Sequence, residues 1–317
     1  RAECDDLLNL SLPLVGDTTL ELSSAAIDCT ILEDNELEEF IIEGGTLTLT
    51  GPSTTKFTNL KFTVMDGAGL IFDFDTTEFG PNLGFDRDDS YGGYMVQVMS
   101  GGSVEFAGEM VATGLENMRS VFWNDDGGSI KFVSNVVFDN CDTNIFRDNF
   151  GRLRFYGDVT FTDNKYLSIN NLGGSVRIDG DAVFTTNGRS FDGHSGGAFA
   201  NMRGGTAIFR GLATFSNNWC DDSGGGVFNS AGSKLTFYKK ASFYDNRCGY
   251  GDGGAVDNYG GDIKFRGAVV VSGNEAGDNG GGISTGNGGT TTFYGWTTIQ
   301  SNKAYDTGGA MSLYGQR

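Results

Sequence analysis

Apolar and polar residues alternate along this chain in short runs bounded by glycine, asparagine and aspartate. Lys234-Leu235-Thr236-Phe237-Tyr238 and Asp262-Ile263-Lys264-Phe265-Arg266 show the pattern. A period of two places alternate side chains on opposite faces of a strand, and no run of helical period is long enough for a helix. The strands recur at a fixed interval. Phe209, Phe237, Phe265 and Phe293 stand 28 residues apart, and an apolar residue follows each six places later, at Phe215, Phe243, Val271 and Ile299. Nine places after each anchor comes an asparagine: Asn218, Asn246, Asn274 and Asn302. A glycine pair closes each unit, at Gly225-Gly226, Gly253-Gly254, Gly281-Gly282 and Gly308-Gly309.

Such a repeat builds a solenoid, a propeller or an array. A propeller blade takes about 40–50 residues, so 28 leave room for three short strands, one coil of a parallel β-helix. The expected fold is all-β: a right-handed, single-stranded parallel β-helix of about 11–12 coils. Coils stacked about 4.8 Å apart turn the Phe positions into aromatic columns. They turn the Asn positions into a ladder of side-chain amides.

Upstream, Phe106, Phe132, Phe155 and Ile178 serve as anchors at spacings of 26, 23, 23 and 31. Phe138, Phe161 and Phe184 hold the sixth place, Asn164 and Asn187 the ninth, with Asn140 one place short. The step of 31 puts an insertion around residues 188–195. Residues 1–43 read as an N-terminal cap and a first irregular coil, and residues 44–317 as the solenoid, regular from about residue 200. Leu47–Thr50, Phe57–Val64, Leu70–Phe74 and Tyr94–Met99 are its first strands.

The cysteines fit this frame. Cys220 and Cys248 are 28 apart and occupy the same place in adjacent coils. Stacking brings their Cα atoms within disulfide range, so a bridge is expected. Cys4 and Cys29 could staple the first coil, which leaves Cys141 as a buried thiol. Disulfides imply an oxidising, extracellular setting.

Composition narrows the partners. The net charge is −19, which argues against nucleic acid. An acidic surface attracts cations, so structural Ca²⁺ is the one cofactor to consider. The densest acidic loops, Asp86, Asp88 and Asp89 and the pair Asp5-Asp6, follow no EF-hand or nonapeptide pattern, so metal ligands stay unassigned. No stretch approaches the roughly 20 apolar residues of a membrane helix. A chain starting at Arg1 with no signal peptide reads as a processed, secreted protein, with Asn9 in Asn9-Leu10-Ser11 as a glycosylation acceptor. Gly308-Gly309-Ala310-Met311-Ser312-Leu313-Tyr314 begins another coil, with no capping repeat before Arg317. Solenoids need caps, so either a longer protein continues or the open coil docks on another subunit.

The alternation of Gly-Gly-[Ala/Val/Ile] with Phe-x-x-Asn resembles the repeat of the chlamydial polymorphic outer membrane proteins. The first element stands at Gly196-Gly197-Ala198, Gly225-Gly226-Val227, Gly253-Gly254-Ala255, Gly281-Gly282-Ile283 and Gly308-Gly309-Ala310. The second stands at Phe161–Asn164, Phe184–Asn187, Phe215–Asn218 and Phe243–Asn246. The resemblance covers residues 127–312 and implies a β-helical passenger used in adhesion.

β-Helices also carry polysaccharide lyases, hydrolases and epimerases. The sole histidine, His194 in Asp192-Gly193-His194-Ser195, and the pair Asp221-Asp222 resemble the polygalacturonase set, in reversed order and with Ser for a glycine. Turn residues of an inserted loop are the plainer reading. Arg147, Asp148, Arg152, Arg154 and Asp181 could furnish a lyase's base and carboxylates, although charges flanking strands are usually solvated. Thr46–Thr50 and Thr290–Thr292 are isolated runs rather than an ice-binding array. Tyr238, Tyr244, Tyr294 and Trp296 are candidates for an outer aromatic surface, and Trp219 for a turn cap.

The expected function is therefore an extracellular structural protein rather than an enzyme. It would be a subunit of a cell-surface fibre, appendage or coat, with copies of itself or related extracellular proteins as partners. The alternatives are a surface adhesin for polysaccharide or a host protein, and a pectate-lyase-like enzyme.

Overall fold

The computed structural model describes residues 18–22, 26–28, 38–58, 60–80, 93–188 and 195–315. They form a parallel β-helix with three long sheets and no helix among the described residues. The chain makes two compact units, Arg1–Asp158 and Val159–Arg317. Counting both, each of the three long sheets has eleven strands among the described residues, in keeping with the expected number of coils.

In the first unit, strands such as Gly69–Asp73, Thr76–Phe79 and Tyr94–Val98 succeed one another in the first, second and third sheets. Pairing begins before residue 44: Thr18–Glu21 pairs with Leu47–Thr50, and Glu38–Ile42 with Leu60–Val64. The alternation of the sequence becomes alternation of burial, as in Ser103–Phe106, where Val104 and Phe106 face the core. Register sets Phe72, Phe106, Phe132 and Phe155 in one column. Their rings stack face to face at 4.7, 4.9 and 4.8 Å. Phe122 and Phe146 of the third sheet stack at 4.7 Å and meet that column edge-on, near 89°. Stacked and edge-on ring pairs are each worth about 0.5–1.5 kcal/mol beyond area burial.

The second unit repeats the scheme with greater regularity. Phe209, Phe237, Phe265 and Phe293 are register partners, stacked at 4.8, 5.1 and 5.3 Å. Phe161, Phe184, Phe215 and Phe243 form the second-sheet column at 4.8, 4.8 and 5.1 Å. Phe243 stands edge-on to both Phe237 and Phe265.

The expected amide ladder is present. Asn164, Asn187, Asn218, Asn246, Asn274 and Asn302 each lie one coil beyond the last, and each side-chain amide donates to the next carbonyl at 2.9–3.0 Å. The Phe-x-x-Asn element now has a mechanical account. The Phe fills the core, the next residue faces outward, and the third turns the chain with positive φ. Asp163, Thr186, Asn217 and Asp245 hold that third place at φ 51–60°. The turn delivers the Asn to the ladder.

Three features differ from the sequence reading. The glycine frame is shifted in two coils: Gly224, Gly253, Gly280 and Gly308 are the residues with positive φ, so the equivalent pairs are Gly224-Gly225 and Gly280-Gly281. A Cβ on Gly225 would lie 2.3 Å from the carbonyl oxygen of Gly254, which explains the second glycine. A short fourth sheet follows the ladder, through Trp219–Cys220, Arg247–Cys248, Glu275–Ala276 and Lys303–Ala304. A second ladder closes the third sheet, with Asn171, Asn201, Asn229 and Asn258 linked at 2.7–2.9 Å. Asn124 and Asn149 do the same in the first unit, at 2.7 Å.

Candidate functional site

Of the sequence candidates, Cys220 and Cys248 are register partners in the fourth sheet, and both are buried. Both stand as free thiols in this structure, with Cys248 Sγ donating to the Asp222 carbonyl at 2.9 Å. Register pairing at the strand spacing of about 4.8 Å keeps the two Cα atoms inside disulfide range. Burial, then the neighbouring Cys248, holds the Cys220 thiol well above its ordinary range. Cys141 is a buried thiol, as expected, and burial pushes it up to about 12. Cys4, Cys29, Asn9, His194 and the loop Asp86–Asp89 lie outside the described residues.

Asp221 is buried and Asp222 exposed; Asp222 Oδ2 accepts a hydrogen bond from Ser195 at 2.7 Å. Of the charges in the lyase reading, Arg152 is exposed, and the others have local contacts. Arg147 Nε sits 3.9 Å from Asp148, the Arg154 guanidinium lies 4.0 Å from the Tyr156 ring centre, and Asp181 accepts the Leu212 N–H at 2.7 Å. No three His, Cys, Asp or Glu side chains converge as a metal site among the described residues. A shallow concavity of about 450 Å³ in the first unit is lined by Ser53, Asp73, Asp75 and Ser134 among others.

The structure assembles a carboxyl group that the sequence did not reveal. Asp257 is the second residue of the third-sheet strand Val256–Tyr259, yet only 2% of it is exposed. Its register neighbours are Phe228 and Ser284. Burial, then the charge of Asp252, raises its carboxyl to about 7; Ser284 and Ser223 oppose the shift and Asp222 adds to it. Asp252 is tied into the glycine turn. It accepts the backbone and side-chain N–H of Asn279 at 2.8 and 3.0 Å, and the Tyr314 hydroxyl at 2.6 Å. Desolvation beside negative neighbours favours a neutral acid, so Asp257 can hold a proton near neutrality.

Compared with protein-family profiles, with curated proteins and with solved structures, the chain matches none of them.

A second arrangement lies on the outside of the same unit. The residue after each Phe anchor forms a column: Arg210, Tyr238, Arg266 and Tyr294 follow the register of Phe209 to Phe293. Arg210 lies 5.8 Å from the Tyr238 ring centre, and Arg266 lies 5.3 Å from Tyr238 and 5.6 Å from Tyr294. The sequence had singled out Tyr238, Tyr294 and Trp296, and all three are exposed; Tyr244 and Trp219 are half-buried. The arginines were missed because their meaning depends on which residue stacks above which.

Proposed function

We propose that this chain is an extracellular structural protein, a subunit of a cell-surface fibre, appendage or coat, built by lateral or end-to-end association of β-helices. The observation that supports it is the amide ladder from Asn164 to Asn302 running beside the Phe column of the second sheet. Each coil is joined to the next by backbone, amide and ring at once. A stack of this kind offers few places where local opening exposes chain to a protease, a property suited to an element that bears load outside the cell. Partners of the chain would be further copies of itself or related extracellular proteins.

The Gly-Gly and Phe-x-x-Asn elements each have a mechanical task in the coil, which supports placing the repeat beside the polymorphic outer membrane protein type. Electron microscopy of the native source, with mass spectrometry of the intact chain, tests the proposal. Regular filaments or coats containing this chain are the expected result. Isolated monomers throughout would overturn it.

A further inference from the structure

The Arg–Tyr column departs from the rest of the chain in charge. The protein holds 41 acidic residues against 22 Lys and Arg. Even so, Arg266 is exposed and has no carboxylate partner among the described residues, whereas Lys264 beside it is paired with Asp262 at 2.8 Å. Arg210, one end of the column, is shared with Asp179 at 3.6 Å. The turn that follows adds Lys239 and Lys240, both exposed. One carboxylate, Asp179, follows the Ile178 anchor in the same column and pairs with Arg210; past that end the strip around Arg266 is open to an outside anion.

The tyrosines make the arginine a better anion receptor. A guanidinium held over a ring keeps its five N–H donors in the ring-parallel plane, free to fork onto a carboxylate or sulfate. Arg266 has a tyrosine ring on either side, so its rotamers are restricted before a ligand arrives. Backbone crowding limits what can stand in the turn just past the column. A Cβ on Gly267 would meet the Lys239 backbone at 2.3 Å, and one on Gly295 would meet the Gly267 carbonyl oxygen at 2.3 Å. Trp296, 92% exposed, then presents an open indole face beside the strip.

We infer that this strip, centred on Arg266, binds a linear anionic polysaccharide, with the arginines and lysines taking its carboxylate or sulfate groups and Trp296 stacking on a sugar ring. Tyr238 and Tyr294 are two rungs apart, about 9.6 Å at the strand spacing, on the scale of two extended pyranose units. An acidic peptide would satisfy the cations but has no need of the indole. The inference does not depend on assembly, because a monomer would carry the same strip.

The test is calorimetric binding of the full chain to polygalacturonate and to dextran sulfate, with cellohexaose as neutral probe and poly-glutamate as peptide probe. Binding of either polyanionic glycan is expected, and which one binds tells uronate from sulfate ester. Arg266→Ala should weaken it about tenfold or more and Arg266→Lys only in part. Trp296→Ala should weaken glycan binding while leaving any poly-glutamate binding unchanged. Both positions are exposed, and circular dichroism will verify the fold. Absence of glycan binding by the native chain, or indifference of glycan binding to both alanine variants, would overturn the inference.

Discussion

Asn246 is bonded twice to one atom of Asn274: its backbone N–H and its side-chain amide both reach Asn274 Oδ1, each at 2.9 Å. The same amide also reaches the Phe215 carbonyl at 2.9 Å, and Asn246 Oδ1 receives the matching pair from Asn218. All of this is buried. Replacing Asn246 by Ala removes the side-chain bonds and strands the two donors of Asn218 and the Phe215 carbonyl. Each orphaned buried group costs about 1–3 kcal/mol. The expected loss is about 3 kcal/mol or more, read by urea denaturation and by faster hydrogen exchange in the coils on either side. Exchange confined to residue 246 itself would contradict the ladder account.

Phe237 lies between two stacked neighbours and meets Phe215 and Phe243 edge-on. Phe237→Ala is expected to cost about 3–5 kcal/mol. Phe237→Leu keeps most of the volume and loses the ring geometry, so its cost should be clearly smaller. Equal costs for the two would mean that stacking contributes nothing beyond volume.

The reduced protein should hide its thiols. Burial raises Cys141 to about 12 and Cys220 well above its usual range, so little reactive thiolate exists at pH 8. Iodoacetamide should label neither until denaturant is added. Protein collected from an oxidising medium should instead yield a Cys220–Cys248 linked peptide by non-reducing mass spectrometry.

Asp257 sets a pH dependence of definite sign. Its carboxyl is raised from 3.8 to about 7 in the folded state. Below pH 3.8 both states carry the proton; between about 4 and 7 only the folded state does, so its stabilising contribution fades as pH rises toward and through 7. The native protein should therefore melt at higher temperature at pH 5.5 than at pH 8, through a term of a few kcal/mol at most. Asp257→Asn should flatten that slope. An unchanged slope in the variant would assign the effect to other groups.

Thr186 is β-branched, yet its φ is 60°. Left-handed backbone costs such a residue about 1–2 kcal/mol, and Asn tolerates it best after Gly. Asn217 fills the same place one coil later at φ 55°. Thr186→Asn should raise stability by up to about 1 kcal/mol, measured as a shift in the urea midpoint with no change of slope.

How much was legible in the chain follows from what kind of contact each residue makes. The Phe and Asn columns were readable because a contact between coils repeats at the coil period, so Phe209 and Phe237 announce each other. Asn201, Asn229 and Asn258 recur at 28 and 29 residues but follow apolar residues of changing type, Phe199, Val227 and Val256, which masked the second ladder. The glycine frame was ambiguous because Gly224–Gly226 and Gly280–Gly282 are triplets, and only the backbone angle decides which member turns. Asp257 was not readable at all. It sits where the repeat puts Phe228 and Ser284, and its environment comes from Asp252 in a turn and Ser284 in the next coil.

One consequence of the ladder concerns length. At Phe209, Phe237 and Phe265, with Asn218, Asn246 and Asn274, every coil offers the same donor face to the next and the same acceptor face to the one before, so a coil recognises its neighbour by type and not by address. Cutting 28 residues from between two anchors would leave every remaining rung facing a partner it already fits, and duplicating them would do the same. Recombination between misaligned copies of such a gene would shorten or lengthen the product in whole coils while the reading frame, the register and the core all survive.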